Sequence, residues 1–293
     1  MKVLIIGGSG VIGWNLLSSF GKDVEFTYHK NKTQRNNGIF LDITKLDETL
    51  QVIEKIKPEI VIHASSLTNV DLCETDHNLA NSINVQGTNN IVECCKNVKS
   101  KIIFISTSFV FDGKKEQYYE DDVKSPSTYY GITKAKGEDI VKNSGLSYLI
   151  LRTDQPYCWI EKWQHTNSVL RVINTIKSGC KHMEIRDWYN NPTYVPEFVE
   201  AVRKLIDLDN EGIFHVVGSD YINRYEWSLE IADIFDLNKD MIEPINSSDL
   251  NLPVKRKNIN LNNTKLSQIG VKMNGVKLGL TKMRNGMETL DIF

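Results

Sequence analysis

A doubly wound α/β fold, a parallel sheet covered by helices on both faces and followed by a smaller lobe, is what this sequence predicts. Three observations carry the prediction. Short apolar runs alternate with helical stretches through the first half, a glycine-rich turn follows the first run, and the alternation loosens after Arg152. Strands separated by helices need right-handed crossovers, which leave the strands parallel and the sheet covered on both faces. The 293 residues, 41% hydrophobic and 25% charged, are enough to bury such a core.

Each element follows from its local pattern. "KVLIIGG" is a short apolar strand ending in glycines, and "VIGWNLLSSF" is the helix after it. "DVEFTYH" alternates, "GIFLDI" is a brief strand, and "LDETLQVIEKIKPEI" gives a helix stopped by Pro58. "EIVIHAS", a helical stretch from Asp76 to Val98, "KIIFIST", a helix carrying Tyr130, and "SYLILRT" complete a dinucleotide-binding type of domain expected over residues 1–155. Beyond it, "QHTNSVLRVINTIKSG" reads as a helix ended by Gly179, and "PEFVEAVRKLIDL" as another. "GIFHVVG" is a late strand, "NRYEWSLEIADIF" a helix, and "NINLNNTKLSQIG" an Asn/Thr helix start before a short helix. Residues 156–293 are expected to form mainly a smaller substrate-binding lobe over the sheet's carboxyl edge, with segments near 190–217 returning to the first domain.

Composition narrows the function. A net charge of −2 gives no nucleic-acid surface and no acidic tail. The longest apolar runs suit buried strands and are too short to span a bilayer, so no membrane partner is expected. Cys73, Cys94, Cys95, Cys158 and Cys180 form no C-x-x-C and no His-rich cluster, which argues against zinc, any other metal centre and a disulfide framework. The first strand starts at Lys2, leaving no room for a signal peptide; with the odd cysteine count, this places the expected protein in a reducing cytoplasm. Cys158 reads as a packed thiol.

In "IIGGSGVIG", Gly7, Gly10 and Gly13 stand between a strand and a helix. A tight turn there needs residues tolerant of positive φ, and a pyrophosphate needs close backbone approach. The helix start at Val11 and Ile12 then offers N–H groups and partial positive charge to phosphates. An NAD site usually carries an acid at the end of the second strand. From Thr27 to Arg35 there is none, and His29, Lys30, Lys32 and Arg35 stand there instead. Cations suit a 2′-phosphate, so NADPH is the expected cofactor, with NADH as the alternative.

"IFISTSFVFDG" puts Ser106, Thr107 and Ser108 at the carboxyl edge of the sheet, where folds of this kind bind ligands. Tyr130 and Lys134, four residues apart in "YYGITKAKGE", share one helix face. Alone, that pair reads first as a surface aromatic beside a solvated charge. A hydroxyl residue followed by Tyr-x-x-x-Lys, after an N-terminal glycine turn, resembles the extended short-chain dehydrogenase/reductases. "HASSLTNVDLCE", "STSFVFDG", "YYGITKAKGE" and "VVGSDYINRYEWSLEIA" are similar to the dTDP-4-dehydrorhamnose reductase group, and this resemblance covers nearly the whole chain.

The resemblance implies a Rossmann-type fold and a nucleotide-sugar substrate whose 4-keto group is reduced. It makes Tyr130 the general acid for the C4 oxygen, Lys134 the charge that favours the phenolate and bonds the nicotinamide ribose, and Thr107 a hydrogen-bond partner of the carbonyl. Asn84 in "SINVQGT" would serve a water-bridged relay behind Lys134, or else bond local backbone. Asp42, with Ile43 beside it, falls where relatives bond the adenine amino group. His63, Ala64 and Ser65 would line the pyrophosphate and ribose, and Thr68 and Val70 the substrate loop. A homodimer is expected by analogy.

Departures from the family pattern touch the sugar side. Relatives commonly show Asp-Tyr after the catalytic hydroxyl residue, where this chain has Ser108-Phe109. "RTDQPYC" stands for the usual "RTSWVYG", with Gln155 replacing a sugar-stacking Trp. Trp159, Trp163 and His165 would rebuild the platform, or else pack in the lobe. Arg186, Asp187 and Trp188 precede "NNPTYV", in a region that often meets the nucleotide-sugar. A 4,6-dehydratase is disfavoured because Ser108-Phe109 lacks its Asp-Glu, and a 4-epimerase because the acid after the second strand is missing. A combined epimerase–reductase would carry Cys near Phe109. The rival from another class is a dinucleotide-binding regulatory module resembling the β subunit of methionine adenosyltransferase.

Overall fold

The structure is a computed structural model that describes residues 1–286 apart from 22, 23, 34 and 36. Asp23, the first residue of "DVEFTYH", and residues 287–293 at the end of the expected lobe lie outside the described residues.

The first half alternates strand and helix: β1 (Val3–Ile6), α1 (Val11–Ser19), β2 (Val24–Tyr28), β3 (Gly38–Phe40), α2 (Leu46–Ile56) and β4 (Ile60–His63). Two short helices, α3 (Val70–Thr75) and α4 (His77–Asn81), run through a π-helical turn at Ser82–Gln86 into α5 (Gly87–Val98). Then come β5 (Lys101–Thr107), α6 (Tyr129–Lys142) and β6 (Tyr148–Thr153). The remainder contains β7 (Pro156–Tyr157), α7 (Ser168–Lys177), β8 (His182–Ile185), β9 (Tyr189–Asn190), β10 (Thr193–Tyr194), α8 (Val195–Asp207) and β11 (Gly212–His215). It ends with β12 (Ile222–Asn223), α9 (Arg224–Ile234), β13 (Ile242–Ile245), α10 (Thr264–Gln268) and α11 (Val276–Gly286).

Seven strands form one parallel sheet in the order β11-β6-β5-β4-β1-β2-β3. Its central strands are buried on both faces, which is why their sequences read as unbroken apolar runs. Successive side chains still separate by face. Val3 and Ile5 pack with Leu16, Phe198 and Val202 of α1 and α8, whereas Leu4 and Ile6 pack with Ile53 and Ile91 of α2 and α5. The order of strands reverses between β1 and β4, and the crevice outside their carboxyl ends is where such sheets take ligands.

A second core gathers Val169 and Ile173 of α7, Trp227 and Ile231 of α9, and Leu280 and Met283 of α11. α8 and β11 belong instead to the sheet, and Leu266, Val271 and Met273 near the carboxyl end also pack on its α1 face. Among the described residues no helix is long and apolar enough to cross a membrane.

Candidate active site

The glycine turn takes its shape from two crowded contacts and one hydrogen bond. Gly7 has φ +85°, and a Cβ there would stand 2.7 Å from the Ser65 nitrogen. A Cβ on Gly13 would lie 2.3 Å from the Gly7 carbonyl oxygen, so only glycine lets α1 come this close. The Gly10 N–H donates to Gly7 O at 3.1 Å, closing the turn. Helix α1 starts at Val11 with no side-chain cap and no acid in its first turn, leaving N–H groups and the positive end of the dipole to an anion. Across the crevice, the buried His63 ring bonds the Thr88 hydroxyl at 3.0 Å and the Ser65 hydroxyl at 3.2 Å. Burial, reinforced by the Lys134 charge, drops its pKa to about 3, so it is neutral beside the turn. The Ala64 N–H donates to Ile6 O at 2.9 Å. A narrow glycine cradle, an open helix end and a neutral lining fit a dinucleotide pyrophosphate.

His29 and Lys30 are exposed just past β2, and His29 leans on Phe40 with ring centroids 5.7 Å apart. The Arg35 guanidinium lies 5.3 Å from the centre of the Trp14 ring. The Asp42 carboxylate accepts from the Thr44 N–H at 3.0 Å and its hydroxyl at 2.7 Å. Burial works against ionisation there, and the Thr44 bonds overcome it, leaving the group below the usual carboxylate range. The Ile43 side chain is in the core, where a Cβ on Gly87 would come within 2.6 Å of it, and Asn90 donates to its carbonyl at 2.9 Å.

Thr107, Tyr130 and Lys134 converge at the carboxyl edge. The Thr128 hydroxyl caps α6 by accepting from the Gly131 N–H at 3.1 Å. A Cβ on Gly131 would lie 2.1 Å from Phe109 O, so this glycine seats the start of α6 directly on the turn after Thr107. The Tyr130 phenol is buried, within hydrogen-bonding reach of Thr107, and meets the Phe109 ring edge-on at 5.7 Å. Burial pushes its pKa well above the tyrosine range; Thr107 opposes this, and the charges of Cys73 and Asp154 add to it. One turn on, the Lys134 ammonium sits 3.9 Å from the centre of the Phe104 ring. Burial lowers its pKa to about 7 against the pull of the Glu138 carboxylate.

Behind this edge is a network that the sequence reading missed. Glu138, one turn beyond Lys134, accepts from Arg152 Nε and Nη2 at 2.9 Å each and from the Ser106 hydroxyl at 2.6 Å. Its signal in the sequence was a cation inside an apolar strand, which needs a buried partner.

The Asn84 amide donates to Leu67 O at 3.1 Å and the Thr133 hydroxyl at 3.0 Å, and its Oδ1 accepts from Ser66 and the Leu67 N–H. Its side chain thus ties the loop after β4 to α6. Replacing Asn84 with Ala strands Leu67's backbone groups and is expected to cost about 2 kcal/mol of stability. Urea unfolding checks this; a loss below about 0.5 kcal/mol would make those bonds dispensable.

On the substrate side the residues scatter more. Thr68 is exposed, and Val70 packs with Cys73, Ala80, Phe109 and Tyr130. Trp188 joins the same cluster from the loop after β8. The Ser108 hydroxyl donates to Asp154 Oδ1 at 3.1 Å. Gln155 has φ +38°, and its Oε1 accepts from Arg224 at 3.1 Å and from Ser168 at 3.3 Å, which turns it to the lobe network. Arg186 is exposed and donates to Asn246 Oδ1 at 2.9 Å. The Arg256 guanidinium holds both Asp71 carboxylate oxygens at 2.6 Å, linking the segment after β13 to α3. Beside that link a cavity of about 160 Å³ is lined by Ile185, Trp188, Ser247, Leu250, Lys255 and Arg256.

The three candidates for a sugar platform stand in different surroundings. The Trp159 indole donates to Met283 O at 2.6 Å and meets Phe235 in the lobe core, because its ring fills space between α9 and α11. Trp163 lies on the glycine turn instead, edge-on to Trp14 at 5.3 Å and donating to Ser9 O at 3.3 Å. Gln164 reaches the same carbonyl at 3.1 Å, Trp14 donates to Glu161 at 3.1 Å, and His165 is exposed.

A parallel sheet with a glycine turn at its switch point is the fold of the extended short-chain dehydrogenase/reductase class, and here a Thr, Tyr, Lys set stands at the same edge. Within that class the chain belongs to the RmlD substrate binding domain family, which matches residues 1–288. It is 27% identical over 278 residues to methionine adenosyltransferase 2 subunit beta of Mus musculus, covering 92% of this chain and 83% of the mouse protein. To the dTDP-4-dehydrorhamnose reductase of Aggregatibacter actinomycetemcomitans it is 30% identical over 200 residues, 66% of this chain and 67% of the other. A crystal structure of dTDP-4-dehydrorhamnose reductase from Bacillus anthracis in complex with NADP superposes with a TM-score of 0.88 at 26% identity, covering 98% of this chain and 100% of that one.

Proposed function

We propose that this chain is an NADPH-dependent reductase of a nucleotide-linked 4-keto-6-deoxy sugar. The observation that carries the reading is the Thr107 hydroxyl against the Tyr130 phenol, with the Lys134 ammonium one turn along α6. The reduced nicotinamide, when bound, supplies the hydride. Tyr130, kept protonated by burial, gives its proton to the C4 oxygen, and Thr107 donates a hydrogen bond where negative charge grows. Lys134 lends the positive charge that favours the phenolate left behind. The similarity to dTDP-4-dehydrorhamnose reductases supports the substrate class.

For the cofactor, the cations after β2 and the NADP in the Bacillus anthracis reductase both favour the phosphorylated form. Replacing His29 and Lys30 together with Ala is expected to weaken NADPH binding about tenfold or more, one charge-assisted hydrogen bond, and to leave NADH within twofold. Equal losses for both dinucleotides would remove the 2′-phosphate from this loop.

The reaction is tested by NADPH consumption against dTDP-, UDP- and GDP-linked 4-keto-6-deoxyhexoses. Turnover with one of them, lost in Tyr130→Phe, supports the reductase and names the nucleotide. A second reading, a non-catalytic subunit, rests on the likeness to methionine adenosyltransferase 2 subunit beta across 92% of the chain. It expects NADPH to bind and none to be consumed with any keto-sugar.

A further inference from the structure

Among the described residues, four buried side-chain atoms have no hydrogen-bond partner: Thr153 Oγ1, Trp188 Nε1, Asn190 Oδ1 and Trp227 Nε1. Folded proteins rarely leave such groups unmatched, and each calls for a water, an ion, a ligand or a functional reason. Two of the four adjoin one carboxylate, and a third, Trp188 Nε1, lies on the loop that carries Asn190. Thr153 precedes Asp154 and is the register neighbour of Thr107 across β5 and β6. The Asn190 side chain bonds Asp154 while its Oδ1 has no partner. Trp188, two residues earlier on the same loop, packs against the Tyr130 and Phe109 cluster, backed on its ring by the Arg224 guanidinium at 5.0 Å.

Asp154 itself is 3% exposed. It accepts from Ser108 Oγ at 3.1 Å and the Asn191 N–H at 3.0 Å, and no cation pairs with it among the described residues. Burial raises its pKa to about 6, against the hydrogen bonds from Asn191, Ser108, Asn190 and Gln155. An anion kept in such a place without a counter-ion is costly, and it is most useful where a neutral donor meets it.

We propose that Asp154, Asn190 and Trp188 form a recognition subsite for a sugar hydroxyl beside the reacting carbon, and that the hydroxyl is the one at C3. The chemistry fits one group closely. Trp188 Nε1 is a donor, while Asn190 Oδ1 and the Asp154 carboxylate are acceptors; a hydroxyl accepts from the indole and gives its one hydrogen to one of the two acceptors, which a methylene cannot do. The ring position follows from the reading above, on which this subsite rests. Tyr130 serves the C4 oxygen, and Asp154 is bonded to the residue next to Thr107. Of the two carbons beside C4, C5 carries the ring oxygen and C6, whereas C3 carries the hydroxyl. This also gives the "RTDQPYC" departure a purpose, since its carboxylate reaches the catalytic edge through Ser108.

The test is calorimetric binding of dTDP-, UDP- and GDP-linked 6-deoxyhexoses, and of their 3-deoxy counterparts, to the NADPH-loaded full chain. NADPH turnover with the matching 4-keto sugars is measured alongside. Wild type is expected to prefer the 3-hydroxy ligand by about 10- to 100-fold, the range of a hydrogen bond to a charged group. Trp188→Phe, which keeps the ring and removes only the donor, and Asp154→Asn are expected to shrink that preference below about fivefold. An unchanged preference in both variants, or none in wild type, overturns the subsite. Discrimination in binding without turnover keeps the subsite and defeats the reductase reading; turnover without discrimination does the reverse. No binding of any nucleotide-sugar overturns both.

Discussion

With Tyr130 replaced by Phe, the rate of NADPH consumption at saturating keto-sugar is expected to fall about 10³-fold, within the range a positioned general acid contributes. The substitution removes one oxygen. The ring still meets Phe109 edge-on and packs with Cys73, Ala80 and Trp188, so fold and cofactor affinity should stay within a factor of about two. The pH profile gives an independent reading of the same site. Burial keeps the phenol protonated across the neutral range, so it sets no limb there. Lys134 does, because burial brings its pKa down to about 7. It carries charge below that value and loses it above, so kcat/KM should drop as pH rises through about 7, approaching tenfold per unit, and the slope should vanish from the residual rate of the variant. Steady-state assays by NADPH absorbance decide the matter. A Phe variant within tenfold of wild type would remove Tyr130 as the acid, and a wild-type profile flat into the alkaline range would remove Lys134's charge from the step.

The parts of this site legible in the sequence are those set by short-range physics. A strand buried on both faces must be apolar throughout, and "VLII" and "IVIH" were readable for that reason. Gly7 and Gly13 were readable because no other residue fits their contacts, and Tyr130 with Lys134 because helical spacing puts both on one face. What depended on distant partners was not. Trp163 looked like a sugar platform from its neighbours in the chain, yet its partner is Ser9, 154 residues earlier. Asn84 lies on a π-helical turn inside what read as one continuous helix, and all four of its side-chain bonds run to the loop after β4 or to α6. The edge strand β3 shrank to Gly38–Phe40, since half-exposed residues with a single neighbour strand carry a weak pattern.

Loss of Glu138 should cost the fold heavily, and the reason ties stability to the site. Glu138 and Arg152 are each 1% exposed, joined by two bonds of 2.9 Å. Burial disfavours the carboxylate, but the Arg152 bonds and charge, the Ser106 hydroxyl and Lys124 hold its pKa below the usual glutamate range. A carboxyl depressed on folding contributes stability that is fully present above its unfolded pKa and is lost only as pH falls through the folded value. At neutral pH, Glu138→Leu therefore leaves the Arg152 guanidinium buried without its counter-ion, and about 3–5 kcal/mol of stability should go. The double variant Glu138→Leu with Arg152→Met removes both charges and should regain most of that loss. Urea unfolding of wild type, single and double variants separates the terms, and equal destabilisation of single and double would mean that packing rather than charge is at stake. The same carboxylate raises the pKa of Lys134. Without it the Lys134 charge is lost at lower pH, so in any double variant that folds the alkaline fall of kcat/KM should begin earlier than in wild type. A fall that stays in place would uncouple the buried pair from the catalytic lysine.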